Sequence, residues 1–217
     1  MIKQNLENIF RKLPSGVTLV AVSKFHPVSA IQEAYQAGQR VFGENRPQEL
    51  AAKVPLLPAD IQWHFIGHLQ TNKLKLVLPY VTLVQSVDSL HLLEAIQAWA
   101  ETNHRLIDVL LELHLGAEET KHGFTEDEII HVCHSERSEE SNVRIRGLMG
   151  MATNTEDVRV IEKDFERIER LFHRIQAMGL PDFDQLSIGM SGDWPLAVKH
   201  GATMVRIGTD IFGEREY

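Results

Sequence analysis

Short apolar runs alternate with amphipathic stretches along the whole chain. An apolar run bounded by glycine or proline predicts a strand buried on both faces, whereas apolar residues at helical spacing predict a helix. Strands are predicted over residues 17–22, 40–42, 62–65, 83–85, 106–113, 144–148, 185–188 and 203–206. Helices are predicted over residues 1–12, 28–36, 47–53, 71–77, 89–101, 126–134, 156–178 and 192–200.

Eight strands that alternate with helices indicate an α/β fold, a single (β/α)8 barrel of the TIM type with an extra N-terminal helix. An open, doubly wound sheet is the alternative, because periodicity alone cannot show that a sheet closes. No change in composition marks a second domain, so residues 1–217 are predicted to form one domain. The segment 134–142 has no apolar residue, which predicts a solvated loop.

Helix ends are predicted from capping residues. Thr153 and Glu156 have the spacing of a capping box at the start of the longest helix, and Gly179 followed by Pro181 marks its end. Asp88 is predicted to cap the second-longest helix, which it immediately precedes.

Composition and charge narrow the class of protein. The 217 residues carry a formal net charge of −8, which argues against a general nucleic-acid binder. Cys133 is the only cysteine, so no intrachain disulfide can form and a reducing compartment fits. The amphipathic N-terminus lacks the apolar core of a signal peptide, and no apolar run approaches the length of a membrane span. We therefore expect a cytoplasmic protein without nucleic-acid or membrane partners.

A lysine ends the first predicted strand. Residues 19–24 are apolar until the run closes with Ser23 and Lys24. Barrels and doubly wound sheets both place their chemistry at the carboxyl ends of parallel strands, so Lys24 is a candidate functional residue. Taken alone, the stretch favours a simpler interpretation, in which the lysine marks where the strand reaches the surface.

Small-residue turns follow the seventh and eighth predicted strands, where barrels often bind phosphate. Ser191 in the first turn is a suitable helix N-cap, and such a turn also offers backbone N–H groups to an anion. In the second turn, Arg206 ends the strand and Gly208 allows an anion to approach the backbone closely. The alternatives are a capped helix without a ligand, and a surface arginine paired with Asp210 or Glu214.

Two polar side chains belong to the second and third predicted strands. Asn45 follows the second strand and could exchange hydrogen bonds with a ligand hydroxyl, although an N-cap is the better interpretation of this residue alone. His64 lies within the third strand between two aromatic residues, where a hydrogen-bonded core histidine is the default interpretation.

Other chemistry-bearing motifs are weak or absent. His131, Cys133 and His134 are adjacent on a predicted helix and do not face one point, so no metal site is predicted. The sequence has no P-loop, dinucleotide-binding fingerprint, metalloprotease histidine pair or nucleophile elbow.

Four motifs occur together in this chain: Ala21-Val22-Ser23-Lys24; Phe42-Gly43-Glu44-Asn45; His64-Phe65-Ile66-Gly67-His68-Leu69-Gln70; and Ser187-Ile188-Gly189-Met190-Ser191 with Val205-Arg206-Ile207-Gly208. Together they resemble the pyridoxal phosphate homeostasis protein family, whose members are single-domain barrels like the N-terminal domain of alanine racemase. The resemblance covers nearly the whole chain. Phe25 and His26 depart from the family pattern, in which a threonine commonly follows the lysine.

The resemblance implies a covalently bound cofactor and no catalytic residue. Lys24 would form a Schiff base, an aldimine, with pyridoxal 5′-phosphate. The phosphate would be held by Ser191, Gly192, Gly208 and Thr209, with Met190 also in contact with the cofactor. Arg206 would reach the pyridine nitrogen, and Asn45 and His64 would line the ring.

The family is regarded as non-catalytic and as maintaining the cellular pool of this cofactor, which implies cofactor-dependent apoenzymes as partners and a monomeric chain. A cationic Arg206 at the ring nitrogen fits this role, because it weakens the cofactor as an electron sink. The alternative is an amino-acid racemase of the alanine type. Such an enzyme needs a second base, a tyrosine brought by another domain, whereas this chain has only Tyr35, Tyr80 and Tyr217.

Overall fold

A computed structural model, which describes residues 1–116, 122–135 and 141–214, contains a closed barrel of eight parallel strands. The predicted barrel is therefore confirmed, and the open sheet is wrong. The strands follow one another around the barrel in chain order, and the last pairs with the first. They are β1 (Thr18–Val22), β2 (Val41–Glu44), β3 (Gln62–Phe65), β4 (Val81–Val87), β5 (Ile107–Glu112), β6 (Val143–Met149), β7 (Gln185–Ser187) and β8 (Met204–Ile207).

Helices surround the barrel on its outside. They are α1 (Ile2–Lys12), α2 (Val28–Gln36), α3 (Pro47–Lys53), α4 (Leu90–Thr102), α5 (Glu126–Ser135), α6 (Val158–Ala177), α7 (Trp194–Lys199) and α8 (Thr209–Phe212). The α-helix predicted over residues 71–77 is instead a 3-10 helix, Thr71–Leu76. A second 3-10 turn, Val54–Leu56, extends α3.

The core has two parts, which explains why the sequences of the strands are continuous apolar runs. The larger part fills the space between the barrel and its helices and includes Phe42, Phe65 and Phe165, all fully buried. The smaller part lies among residues of β1, β4, β5, β6 and β8: Val20, Leu83, Leu110, Met149 and Met204. Alternate strand residues therefore face apolar surroundings on both sides, as in other barrels of this type.

The extra N-terminal helix packs against the outside of the barrel where its first and last helices lie. It contacts α2 and α8, and it buries Ile2, Leu6 and Ile9. The side-chain amide of Asn5 donates to the carbonyl of Ile211 over 3.0 Å. This contact ties α1 to α8.

Two predicted caps differ from the structure. The Asp157 carboxylate, not Thr153, caps α6, while Thr153 bonds to Asp164 further along the helix. Ser89 caps α4 in place of Asp88. In each case a shorter reach to the first free N–H groups decides the cap. The end predicted for α6 at Gly179 is confirmed by a left-handed φ of 74° at that residue.

The turn before α7 also differs, because the predicted N-cap Ser191 precedes the helix by three residues. Asp193 is the residue before Trp194, where α7 begins, and Pro195 occupies the first turn.

The polar segment 134–142 is only partly a loop. His134 and Ser135 form the last residues of α5, and residues 141–142 lead into β6. The rest of that prediction lies outside the described residues. None of the described helices is both long and apolar enough to span a membrane.

Candidate functional site

The carboxyl ends of β1 and β8 bring Lys24 and Gly208 close together. Ala21 of β1 pairs with Ile207 of β8, so the residues that follow both strands leave the barrel side by side. A Cβ added at Gly208 would lie 3.3 Å from the Cβ and carbonyl oxygen of Val22, two residues before Lys24. Lys24 itself is partly buried.

The turn after β7 lies directly against β8. The backbone N–H of Arg206 donates to the carbonyl of Gly189 over 2.9 Å. Within the turn, the N–H of Met190 donates to the Asp193 carboxylate over 2.6 Å. The turn is thus fixed at both ends.

Three backbone N–H groups point into this corner without an acceptor in the described part of the chain. Among the described residues, no acceptor is found for the amides of Ser191, Gly192 and Gly208. A Cβ added at Gly192 would meet no atom within 4 Å, so the space in front of this turn is open. Met190 and Thr209, the residues next to these amides, are exposed. The corner can therefore accept an anion such as a phosphate.

Asn45 follows β2 and presents a polar atom without a partner. Its Oδ1 is buried and has no hydrogen-bond partner among the described residues. The backbone of Asn45 is held by the next loop, because a Cβ at Gly67 would overlap the Asn45 carbonyl oxygen. The N-cap interpretation of Asn45 is wrong, since α3 is preceded by Arg46 and has no side-chain cap.

Arg206 lies inside the barrel with 4% of its surface exposed. Its guanidinium donates to the carbonyl of Ser187 over 2.8 Å, to the Ser187 hydroxyl over 2.6 Å and to the carbonyl of Gly150 over 2.9 Å. Burial lowers the pKa of Arg206 to about 10, while Glu112 and Asp193 act in the opposite direction. The surface arginine considered as an alternative is therefore wrong.

A chain of buried hydrogen bonds leads from Arg206 to His64. The hydroxyl of Ser187 donates to Oε1 of Gln85 over 2.6 Å, and the Gln85 amide nitrogen donates to Nδ1 of His64 over 2.8 Å. Burial lowers the pKa of His64 to about 4, so the ring is neutral at pH 7.

His64 lies nearer the opposite end of the barrel from Lys24. Its ring lines a cavity of about 240 Å³ whose walls include Thr18, Gln185 and Met204, the first residues of β1, β7 and β8. The default interpretation, a hydrogen-bonded core histidine, describes this environment. The structure connects His64 to the Lys24 corner through Gln85, Ser187 and Arg206.

Glu112 is a buried carboxyl group that the sequence analysis missed. It ends β5, and burial with the neighbouring Asp88 raises its pKa to about 7, although Arg206 lowers it. The pattern that singled out Lys24, an ionisable residue closing a buried apolar strand, also occurs at residues 107–112. That signal could have identified Glu112.

A second missed feature is a buried ion cluster of Lys53, Glu44 and Glu49. The Lys53 ammonium lies 2.7 Å from a carboxylate oxygen of each glutamate. Burial raises the pKa of Glu44, which Lys53 and the Ser23 hydroxyl partly offset. The sequence does not reveal this cluster, because the i,i+4 spacing of Glu49 and Lys53 on α3 is that of an ordinary exposed helix pair.

The ion cluster forms hydrogen bonds with the backbone on both sides of Lys24. Lys53 donates to the carbonyl of Ser23 over 2.9 Å. The N–H of Phe25 donates to the Glu49 carboxylate over 2.6 Å. Phe25 has a left-handed φ of 66°, a strained conformation for a non-glycine residue, and this contact holds it. The backbone that carries Lys24 is therefore fixed by residues of β2 and α3.

Comparisons with known proteins identify the family to which the chain is similar. The protein-family model described as the alanine racemase N-terminal domain matches residues 1–216 of this chain. A protein of Vibrio alginolyticus named pyridoxal phosphate homeostasis protein is 37% identical over 100% of this chain and 98% of its own. A protein of the same name from Aquifex aeolicus is 41% identical over 92% of this chain and 87% of its own.

Solved structures show the same fold. PipY of Synechococcus elongatus with pyridoxal phosphate bound is 37% identical, with a TM-score of 0.89, over 98% of this chain and 100% of its own. The alanine racemase of Bartonella henselae is 16% identical, with a TM-score of 0.75, over 100% of this chain and 60% of its own, which shows the fold alone. With full-length relatives well above 30% identity, the chain belongs to the pyridoxal phosphate homeostasis protein family.

Proposed function

We propose that this protein binds pyridoxal 5′-phosphate covalently on Lys24 and stores or delivers it, without strong catalytic activity of its own. The observation that carries the proposal is the corner where Lys24 lies beside Gly208 and where the amides of Ser191 and Gly192 have no protein acceptor among the described residues. A lysine next to an anion-binding corner fits a ligand with an aldehyde and a phosphate. PipY, a relative of the same length, binds this cofactor.

The remaining predicted residues fit around such a ligand. Ser191, Gly192, Gly208 and Thr209 would bind the phosphate, with Met190 as an exposed side chain beside it. The unpartnered Oδ1 of Asn45 would accept a hydrogen bond from the ligand or from a water on it. In this proposal His64 acts at a distance, by holding Gln85 and thereby the Ser187 that orients Arg206.

The residues around the cofactor disfavour catalysis. When bound, pyridoxal phosphate can supply an electron sink, which works best if an acidic partner keeps its ring nitrogen protonated. Arg206 can only donate hydrogen bonds, so it would favour an unprotonated nitrogen.

Among the described residues, no tyrosine lies at this end of the barrel to serve as the second base of an alanine-type racemase. Tyr35, on α2, bonds to Asp60 over 2.8 Å, and Tyr80 immediately precedes β4. Both lie at the ends of elements that face away from Lys24, and Tyr217 is outside the described residues.

Covalent attachment is tested with borohydride, which reduces a Schiff base to a stable amine. The loaded protein should show a visible absorbance band that borohydride abolishes, and peptide mapping should find the label on Lys24. The Lys24→Ala variant should lose both the band and the label. Lys75→Ala, which removes an exposed lysine of the 3-10 helix, should keep both. A label on any other lysine would refute the assignment.

The non-catalytic role is tested separately, by following exchange of the Cα proton of amino acids with solvent deuterium. The loaded protein should exchange it no faster than free pyridoxal phosphate at the same concentration. Enzyme-like exchange would refute the carrier role and favour the racemase.

A further inference from the structure

We propose that His68, Asp88 and His122 bind a divalent transition-metal ion of the Zn²⁺ type at the mouth of the barrel. The three side chains each offer one ligand atom, and these atoms all lie within 4.8 Å of one another. No part of this inference depends on where pyridoxal phosphate binds.

The fold brings these residues together from three successive loops. His68 follows β3, Asp88 is the first residue after β4, and His122 lies between β5 and α5. Because parallel strands end at the same edge, all three face the carboxyl end of the barrel.

One ligand is firmly positioned and two can adjust. The Asp88 side chain is 6% exposed, and it is held between the end of β4 and the capped start of α4. The His68 side chain is 48% exposed, and His122 is exposed as well. A buried carboxylate and two exposed imidazoles leave room for the rings to rotate around an ion.

The ligand set is that of zinc. Two imidazole nitrogens and one carboxylate oxygen are the ligands of many catalytic zinc sites, which keep a fourth position for water. Zinc–ligand distances of about 2.1 Å place the atoms of a tetrahedral site roughly 3.4 Å apart. The ligand atoms must therefore approach one another by at most about 1.4 Å, which rotation of two exposed rings can supply.

The present contacts show which groups the ion would displace. Nδ1 of His68 lies 2.7 Å from the Asp88 carboxylate, a hydrogen-bond distance. A bound ion would replace this hydrogen bond. The ring of His122 stacks on that of His68 with centroids 4.2 Å apart, and the two rings must rotate to direct both nitrogens at one ion.

The ligand chemistry at this site favours a cation. The Asp88 carboxylate lies beside two imidazole rings, and each of the three groups offers an electron pair. The alternative is a simple hydrogen-bonded pair of His68 and Asp88. Such a pair explains the contact between these two residues, but it gives no role to the imidazole of His122 beside them. A divalent ion uses all three groups.

The test is a Zn²⁺ titration of untagged, chelator-dialysed protein, monitored by calorimetry, with Co²⁺ as a spectroscopic probe. We expect one ion per chain and intense visible absorbance from Co²⁺ in a four-coordinate site. Zn²⁺ should also raise the melting temperature, because it binds the folded state. The variants H68A, D88N and H122A should each weaken binding at least tenfold.

The matched control is H173A, which removes an exposed histidine of α6 that bonds only to Gln176 on the same helix. It should bind Zn²⁺ like the parent. Circular dichroism melts identify a variant that fails to fold, in which case H68Q or H122Q replaces it. The proposal is overturned if the parent binds no Zn²⁺, or if D88N and H122A bind it as tightly as the parent does. Failure here would leave the Lys24 test unaffected, because the two use different residues and readouts.

Discussion

Burial moves the pKa values of Glu112 and His64 in opposite directions. The pKa of Glu112 is raised to about 7 from an ordinary 4.5, and the pKa of His64 is lowered to about 4 from an ordinary 6.5. Both groups therefore prefer to be neutral inside the barrel. Each departure corresponds to roughly 3 kcal/mol of folding free energy across its pH range.

The two groups have opposite effects on stability between pH 4.5 and 6.5. Folded Glu112 keeps a proton that the unfolded chain releases, so its contribution is present below pH 4.5 and is lost as pH rises towards 7. Folded His64 lacks a proton that the unfolded chain binds, so its contribution is present above pH 6.5 and is lost as pH falls towards 4. In the parent protein these two contributions oppose each other.

Substituting Glu112 should remove its pH-dependent contribution to the free energy of unfolding and leave that of His64. The free energy of unfolding of Glu112→Gln, measured in urea relative to the parent, should rise by about 2–3 kcal/mol from pH 4.5 to pH 6.5. His64→Gln should show the opposite slope relative to the parent. Glu94→Gln, at an exposed position on α4, is the control for removing one carboxylate outside the barrel interior. A flat difference for Glu112→Gln would mean that Glu112 is ionised in the folded protein throughout this range.

At the scale of elements, α3 and the end of β2 determine how β1 presents Lys24. Glu49 of α3 accepts the N–H of Phe25, whose left-handed conformation costs on the order of 1–3 kcal/mol. Without this acceptor, the residue after Lys24 should relax and move the lysine away from the phosphate corner.

Two substitutions of Glu49 separate positioning from charge. Glu49→Ala should weaken pyridoxal phosphate binding about tenfold, because the Phe25 N–H loses its acceptor, a contact worth roughly 1–3 kcal/mol. Glu49→Gln should retain most of the affinity, since its amide oxygen can still accept that bond. Affinity is measured by absorbance titration, and melting temperatures are compared in parallel. Equal affinity for Glu49→Ala and the parent would show that this contact does not position Lys24.

The elements themselves were largely predictable, since a parallel barrel buries both faces of each strand and leaves a clear apolar signature. The 3-10 helix Thr71–Leu76 was not, because α and 3-10 turns share nearly the same apolar spacing over so short a segment. The predicted caps, Asp88 and Thr153, precede the caps in the structure, Ser89 and Asp157, by one and four residues. Helix ends are the part of an element that a sequence pattern defines least well.

The site was only partly predictable for a different reason. Lys24, Asn45 and Gly208 stand at strand ends, so their position follows from the sequence of strands and turns. The contacts of Arg206 with Ser187 and Gly150, and those of Lys53 with Ser23, join residues far apart in the chain. No local pattern records such contacts, because they depend on how the barrel closes.

At the scale of the whole molecule, the proposed site lies across the seam at which the barrel closes. The loops after β7, β8 and β1 meet there, and the pairing of β8 with β1 sets their spacing. Outside the seam, α1 packs on α2 and α8, so the N-terminal segment supports the same closure. The strand pairing that closes the barrel therefore also brings the parts of the site together.

Such a site should derive most of its affinity from the phosphate group. Backbone amides of Ser191, Gly192 and Gly208 would each gain a charged acceptor that the protein does not supply among the described residues, whereas the ring has fewer fixed partners. Pyridoxal should therefore bind at least a hundredfold more weakly than pyridoxal 5′-phosphate in absorbance titrations, and inorganic phosphate should compete with the latter. Gly208→Val should weaken the phosphorylated ligand far more than pyridoxal, because its side chain presses against Val22 and widens the seam. Equal affinity for the two forms would place the phosphate outside the seam and would leave the free amides without a ligand.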